Sequence, residues 1–338
     1  MKNLWNFLKA KQYIAKYSKK GIKEDLALRI YTTHLLGGEK KLVLHGGGNT
    51  SVKSFQKDIF NKKRNVIFVK GSGWEMSNLN HIGMPGLYLD SLLKTIILNK
   101  MDDESMVNYL RSNLLNSNSP NPSVETLLHA FLPYKYVDHT HANAVLALTD
   151  LTDGESICSS LYGERAPLVP YIMPGFSLAK KALEVYRENP DCQGLILLKH
   201  GIFSFGDTAR ESYERMINLV SLAETRLGIG GGEVGRVALP KGLARPAEIA
   251  PILRGKCAPL SADGGYRHLI ATYRTNEFIK AYVDGKALPR YSQAGPVTPD
   301  HVIRTKPKPL IVPPPEAAKL NLWTEEVEKR LVSYQTEY

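Results

Sequence analysis

Cysteine is scarce: Cys158, Cys192 and Cys257 are the only 3 among 338 residues, and no two form a CxxC pair. With no even-numbered disulfide framework, the default environment is a reducing cytoplasm. Long apolar runs are missing as well. Nothing approaches the roughly 18 residues that span a bilayer. Lysines at 9, 11 and 16 interrupt what a signal sequence would need, so the N-terminus reads as an amphipathic helix and no membrane partner is expected. Charge of one sign is in excess but not concentrated. Lys+Arg minus Asp+Glu is 44 − 33 = 11, yet the longest basic clusters are Lys19-Lys20, Lys40-Lys41 and Lys62-Lys63-Arg64, none interleaved with aromatics. A nucleic-acid partner is therefore not expected, and the diffuse cationic field suits phosphorylated metabolites. Internal repeats are absent. Hydrophobic residues at 43% and charged residues at 23% are globular values that exclude a disordered or fibrous chain.

Apolar spacing and turn residues predict an α/β organisation. Residues 1–36 read as helical, with Leu26, Ile30 and Leu35 on one face and Gly37-Gly38 closing the segment. Strands are expected at 42–45, ending in a glycine run, and at 65–70, ending in Gly71-Ser72-Gly73. Two more are expected at 136–141 and at 194–199, the last turning at His200-Gly201. Asn121-Pro122-Ser123 predicts a helix start, with Asn as N-cap, Pro at the first helical position and an apolar stripe of Val124, Leu127, Leu128 and Phe131. A buried helix is expected at 142–148, and Asp207 is expected to cap a long helix that Gly228 stops. Past that point the texture shifts to GIGGGEVG, then to helices near 276–283 and 323–332 and a proline-rich strap at 307–315. The implied division is an N-terminal helical segment at 1–24, one domain at 25–230 and an extension at 231–338.

Gly230, Gly232 and Gly235 formally make GxGxxG, but the run follows a helix rather than a strand and reads as a linker. His45-Gly46-Gly47-Gly48 has the form of a lipase oxyanion loop, yet no GxSxG nucleophile elbow occurs anywhere. The alternatives are a plain tight turn or a glycine-rich loop whose backbone N–H groups, with donors on Asn49, Thr50 and Ser51, gather round an anion. His139 and His141 lie two apart on an expected strand and so leave the same face. His200, at another strand end before a glycine, could meet them. Three neutral imidazoles with an open position make a catalytic rather than a structural zinc site. Glu125, at an expected helix start, could serve as a base or could be a solvated first-turn acid. His129, four residues on, reads as packing or support.

Five stretches in order, HGGGNTSVK at 45–53, VKGSGWEM at 69–76, NPSVETLLHAFLP at 121–133, VDHTHANAV at 137–145 and GLILLKHGIF at 194–203, resemble the class II aldolase/adducin family. Within it they are most similar to the aldolase half of bifunctional rhamnulose-1-phosphate aldolase/short-chain alcohol dehydrogenases, over about residues 25–312. The resemblance implies an α/β/α sandwich around a mixed, mainly antiparallel sheet, assembled as a homotetramer. It implies His139, His141 and His200 as ligands of Zn2+ or another divalent metal, and Glu125 as catalytic acid/base. Gly47, Gly48, Asn49, Thr50, Ser72, Gly73 and Ser123 would hold the phosphate of a sugar phosphate, with Lys70 or Lys53 supplying charge nearby. The implied reaction is retro-aldol cleavage of a ketose 1-phosphate to dihydroxyacetone phosphate and an aldehyde such as lactaldehyde. A 4-epimerase of the same fold or an adducin-like scaffold are the alternatives.

Three departures qualify the transfer. Val124 stands where the fuculose-phosphate aldolases have a second serine. Their catalytic tyrosine has no clear counterpart, with Tyr162 and Tyr171 as candidates. There is no TGxxxGxG, so no NAD is expected and a separate dehydrogenase would have to oxidise the aldehyde. The segment 295–306 (GPVTPDHVIRTK) crowds Asp300, His301, Arg304 and Lys306 together. It could close over the site, with His301 and Arg304 as substrate contacts, or form an inter-subunit strap.

Overall fold

The computed structural model describes residues 1–228, 235–258 and 264–337. Gly230 and Gly232 of the glycine-rich run, and with them the reading of that run as a linker, lie outside those residues. The chain divides into two compact units, residues 1–231 with 297–304 and residues 232–296 with 305–338.

The first unit is built on a seven-stranded sheet of order β3-β2-β1-β4-β7-β6-β5. The strands are β1 Asn49–Lys57, β2 Lys63–Val69, β3 Gly86–Tyr88, β4 Tyr136–Thr140, β5 Leu168–Val169, β6 Gly194–Leu197 and β7 Gly201–Gly206. Every pairing is antiparallel except the parallel β5–β6 edge. Strand alternation sends successive side chains to opposite layers. Along β4, Val137 enters the cluster formed with Leu127, Phe131, Phe176 and Phe203. Tyr136, one residue earlier, joins Leu26, Ile30 and Val52 instead. On β6 and β7, Ile196 and Ile202 pack with Val145, Tyr213 and Val220 of the helices Asn143–Thr149 and Ala209–Gly228. The result is the mixed α/β sandwich expected.

On one face of the sheet β4 ties two helices together. Asp138, fully buried, pairs with the Arg29 guanidinium of the helix Glu24–Gly37 and accepts from Ser212 Oγ at 2.5 Å. Burial raises the Asp138 carboxyl above the usual range, and Arg29 opposes that shift.

Several elements differ from expectation. Residues 42–45 form turns and coil rather than a strand: Leu42 and Val43 are buried in the core cluster between the sheet and its helices, so an apolar run reflects core burial and not sheet pairing. The strand starts after the glycine loop, at Asn49. The helix expected from 121 begins only at Thr126. Residues 121–123 instead lie beside the second glycine loop, where Gly71 bridges Pro122, Ser72 N–H donates to the Asn121 carbonyl at 2.8 Å and Ser123 N–H to that of Lys70 at 3.2 Å. Ser123 Oγ then accepts from Glu125 N–H at 3.3 Å, and the helix starts after Glu125 without a side-chain cap. Val124 is 42% exposed and leaves the apolar stripe, while Leu127, Leu128 and Phe131 stay buried. The long helix Ala209–Gly228 is capped by Thr208, whose Oγ1 accepts from Glu211 N–H at 3.1 Å, rather than by Asp207.

In the second unit the 307–315 segment is neither helix nor strand. The helix Leu320–Glu337 holds it through Trp323 Nε1 on the Pro313 carbonyl at 2.8 Å and Tyr334 Oη on that of Lys308 at 2.6 Å. No described helix is long and apolar enough to cross a membrane.

Candidate active site

Antiparallel register brings the chemistry to one end of the sheet. Asn49 opens β1 opposite His139 near the close of β4, and His139 lies opposite Phe203 on β7. His141 sits one residue beyond β4, and His200 occupies the turn that joins β6 to β7. That turn must pass very close to β4. A Cβ at Gly201 would lie 2.4 Å from the Thr140 carbonyl oxygen and 3.2 Å from both His139 and His141, so only glycine fits. The three histidines thus meet: one nitrogen from each lies within 4.8 Å of the others, and all three side chains are buried.

Their proton positions follow from their partners. His139 Nδ1–H donates to the Ile202 carbonyl at 3.1 Å, and His141 Nδ1–H to Asp300 Oδ1 at 2.6 Å. Both Nε2 atoms are therefore bare, and they stand 3.0 Å apart. Two facing lone pairs repel unless a cation is shared between them, and nitrogens roughly 2.0–2.1 Å from a tetrahedral ion sit about 3.3 Å from one another. Burial, joined by the neighbouring imidazoles, pulls His139 well below its usual range, and burial also lowers His200, which favours neutral ligands. His200 Nδ1 is buried with no hydrogen-bond partner. The donor set fits a divalent ion.

Glu125 lies beside this triad. Its Oε2 is 3.4 Å from His139 Nε2 and accepts from Asn49 Nδ2 at 2.7 Å. Its Oε1 is 3.4 Å from His200 Nε2, buried, and without a hydrogen-bond donor. Asn49 Nδ2 also donates to Ser123 Oγ at 2.9 Å. Behind Asn49 sits His129, fully buried: Ser51 Oγ donates to its Nδ1 at 2.8 Å, and its Nε2–H donates to Asn49 Oδ1. That order fixes the Asn49 amide with its NH2 toward Glu125. His129 is pulled well below its usual range by burial, consistent with a neutral ring. The site residues are held by a chain from Ser51 through His129 and Asn49 to Glu125. The spacing of these residues hinted at support from His129 but not at its target.

The two glycine loops do lie together. Lys70 Nζ, buried, donates to the carbonyls of Gly46 at 2.9 Å, Gly71 at 3.3 Å and Trp74 at 2.6 Å, and a Cβ at Gly46 would lie 2.8 Å from the Gly73 carbonyl oxygen. Lys70 thereby braces the loops with all three of these bonds. Burial lowers its ammonium to about 8. Ser72 and Gly73 are exposed. Lys53 lies elsewhere, donating to the carbonyls of His129, Leu132 and Tyr134 at the end of the helix Thr126–Phe131.

Three further expected residues are placed as follows. Thr50 points to the opposite face, its hydroxyl 2.7 Å from that of Thr33, because the strand alternates. His301 is half-buried, bonds Thr298 Oγ1 at 2.7 Å and sets its ring edge-on to that of His45 at the first glycine loop, with centroids 6.4 Å apart, and Arg304 is exposed. From the same segment it is Asp300 that reaches the histidines. Of the tyrosine candidates, Tyr162 is buried in the core with Tyr213 and Val220, and Tyr171 is exposed.

Known proteins are similar to this chain. The family described as "Class II Aldolase and Adducin N-terminal domain" matches residues 28–227, and "Aldolase class II, second domain" matches residues 244–338. The "Uncharacterized oxidoreductase YuxG" of Bacillus subtilis (strain 168) is 32% identical over 347 residues, covering 100% of this chain and 48% of that protein. The chain thus spans about half the length of that curated relative. The N-terminal class II aldolase domain of a conserved protein from Thermoplasma acidophilum is 38% identical with a TM-score of 0.60, covering 67% of this chain and 99% of that one.

Proposed function

Because the chain belongs to the class II aldolase and adducin family, we propose that it is a divalent-metal-dependent lyase cleaving a ketose 1-phosphate to dihydroxyacetone phosphate and an aldehyde. The observation that carries this reading is the pair of bare His139 and His141 Nε2 atoms 3.0 Å apart with His200 and an acceptor-only Glu125 oxygen beside them. A zinc or similar ion on His139, His141 and His200 would act as a Lewis acid toward a carbonyl and its neighbouring hydroxyl.

The remaining chemistry falls to the chain. In retro-aldol cleavage the C3–C4 bond of the ketose breaks. The C4 hydroxyl gives up its proton to water as the aldehyde C=O forms, and the electron pair stays on C3. Glu125, with Oε2 held by Asn49 and Oε1 free, is placed to take a proton from water on Oε1 and pass it to C3, and to take it back from C3 in the reverse direction. The phosphate falls to the donors that the loops 46–48 and 71–73 leave uncommitted, the Ser72 hydroxyl among them, since the N–H groups of Gly47, Gly71 and Ser72 already bond the carbonyls of Leu44, Gly83 and Asn121, and Lys70 braces both loops. Asn49 serves Glu125 first, since its NH2 is already committed there. Fixing the phosphate holds the reacting bond against the base and lowers the entropic part of the barrier.

A panel of ketose 1-phosphates assayed for dihydroxyacetone phosphate tests the reading, with metal analysis of the same protein. Release of the triose phosphate that chelation stops is the expected result. Appearance of a 4-epimer without triose release would replace the lyase by an epimerase, and no turnover in a protein that binds no metal would favour a scaffold.

A further inference from the structure

Asp300 lies outside the segment that matches the first aldolase domain, yet it is 2% exposed and enters the histidine cluster. Both of its oxygens are committed. Oδ1 accepts from His141 Nδ1–H at 2.6 Å, and Oδ2 accepts from Leu44 N–H at 2.7 Å, at the start of the first glycine loop. The carboxylate lies so close to Gly47 that a Cβ there would come 1.5 Å from Asp300 Oδ1. This gives Gly47 a reason to be glycine apart from any ligand.

We propose that Asp300 is a positioning residue of the metal centre: its carboxylate locks the His141 ring so that Nε2 faces the other two imidazoles, and metal retention depends on that lock. The inference rests on the reading of the triad as a metal site. A direct ligand role does not fit, because both oxygens are turned to other donors. A role as a mere loop clasp would need only the bond to Leu44, whereas the shorter bond goes to a histidine whose other nitrogen faces His139 at 3.0 Å. A carboxylate on the far nitrogen of a ligating histidine fixes its tautomer and orientation and raises its basicity, and loss of such a partner costs on the order of 10- to 100-fold in metal affinity. The 297–304 segment thereby makes the centre depend on residues far along the chain from the three histidines.

The test uses the full chain and measures Zn2+ affinity by competition with a chelator, together with the visible spectrum of the Co2+-loaded protein. Asp300→Ala is expected to weaken Zn2+ binding about 10- to 100-fold and to alter the Co2+ spectrum, with unchanged apo-protein circular dichroism. Asp300→Asn is expected to fall between it and the wild type, since an amide oxygen still accepts from Nδ1–H but carries no charge. Gly47→Ala keeps the carboxylate but takes its space, and is expected to weaken Zn2+ binding in the same way. It carries the test should Asp300→Ala fail to fold. Wild-type Zn2+ affinity and Co2+ spectrum in both Asp300→Ala and Gly47→Ala would overturn the inference while leaving the triad intact. A wild-type protein that binds neither ion would overturn the metal reading itself and the inference with it.

Discussion

Replacing His129 by leucine isolates the chain of bonds behind Glu125. Leucine fills a similar volume beside Phe203, whose ring lies 5.3 Å from that of His129, but it can neither accept from Ser51 Oγ nor donate to Asn49 Oδ1. Two buried polar groups then lose a partner, at about 1–3 kcal/mol each. The extra apolar burial of leucine returns about 1–2 kcal/mol, so a net loss of about 0–5 kcal/mol in unfolding free energy is expected, about 2–3 at the centre of the range. The functional effect is separate. Without the His129 donor, nothing distinguishes the two orientations of the Asn49 amide on that side. A flipped amide would set Oδ1 against the Glu125 carboxylate. Misplacement of a catalytic group by about 1 Å is worth on the order of 10²-fold in rate. The expected outcome is a kcat lowered about 10- to 100-fold on a ketose 1-phosphate at unchanged metal content, because His129 does not belong to the metal triad. Urea unfolding and metal analysis on the same sample separate the two effects. A variant destabilised as expected but turning over at the wild-type rate would refute the relay. Asn49→Ala combined with His129→Leu adds a check: losses that multiply, rather than merge, would mean that the two residues act independently.

Other expectations follow from the same geometry. Glu125→Gln keeps the bond from Asn49 but removes the base, and the rate should fall on the order of 10² to 10⁴-fold with Zn2+ still bound; near-normal turnover rejects the role. Arg29→Met leaves the Asp138 carboxylate buried and unpaired, and should cost about 3–5 kcal/mol by denaturant unfolding, a loss that Asp138→Asn added to it should largely relieve. Chelation should lower the thermal midpoint and excess Zn2+ restore it, since an ion at 100 times its Kd contributes about 2.7 kcal/mol to the folded state. Burial pushes the Cys158 and Cys192 thiols up to about 11 while Cys257 is exposed, so iodoacetamide at pH 8 should label Cys257 alone in the native protein and all three cysteines in denaturant.

Local rules carried some of this site. The His139/His141 pair is legible because strand alternation places residues two apart on one face, whatever the rest of the fold does. His200 before a glycine is legible because a turn at a buried strand's end demands a residue without a side chain. The failures share a cause. Residues 42–45 and the start expected at 121 were misjudged because an apolar run or an Asn-Pro pair does not say what lies beside it: the core between sheet and helices in one case, a glycine loop in the other. The order Ser51 to His129 to Asn49 to Glu125 joins residues up to 80 apart in sequence, and the bond from His141 to Asp300 spans 159. No sequence periodicity encodes contacts of that range. They exist because antiparallel pairing lays the start of β1 against the end of β4, and because residues 297–304 pack against the same sheet end. The sequence by itself determined which side chains could do metal and proton chemistry. Only the tertiary packing decided that Asn49 bonds the Glu125 carboxylate, that Thr50 faces away, and that Asp300 bonds His141.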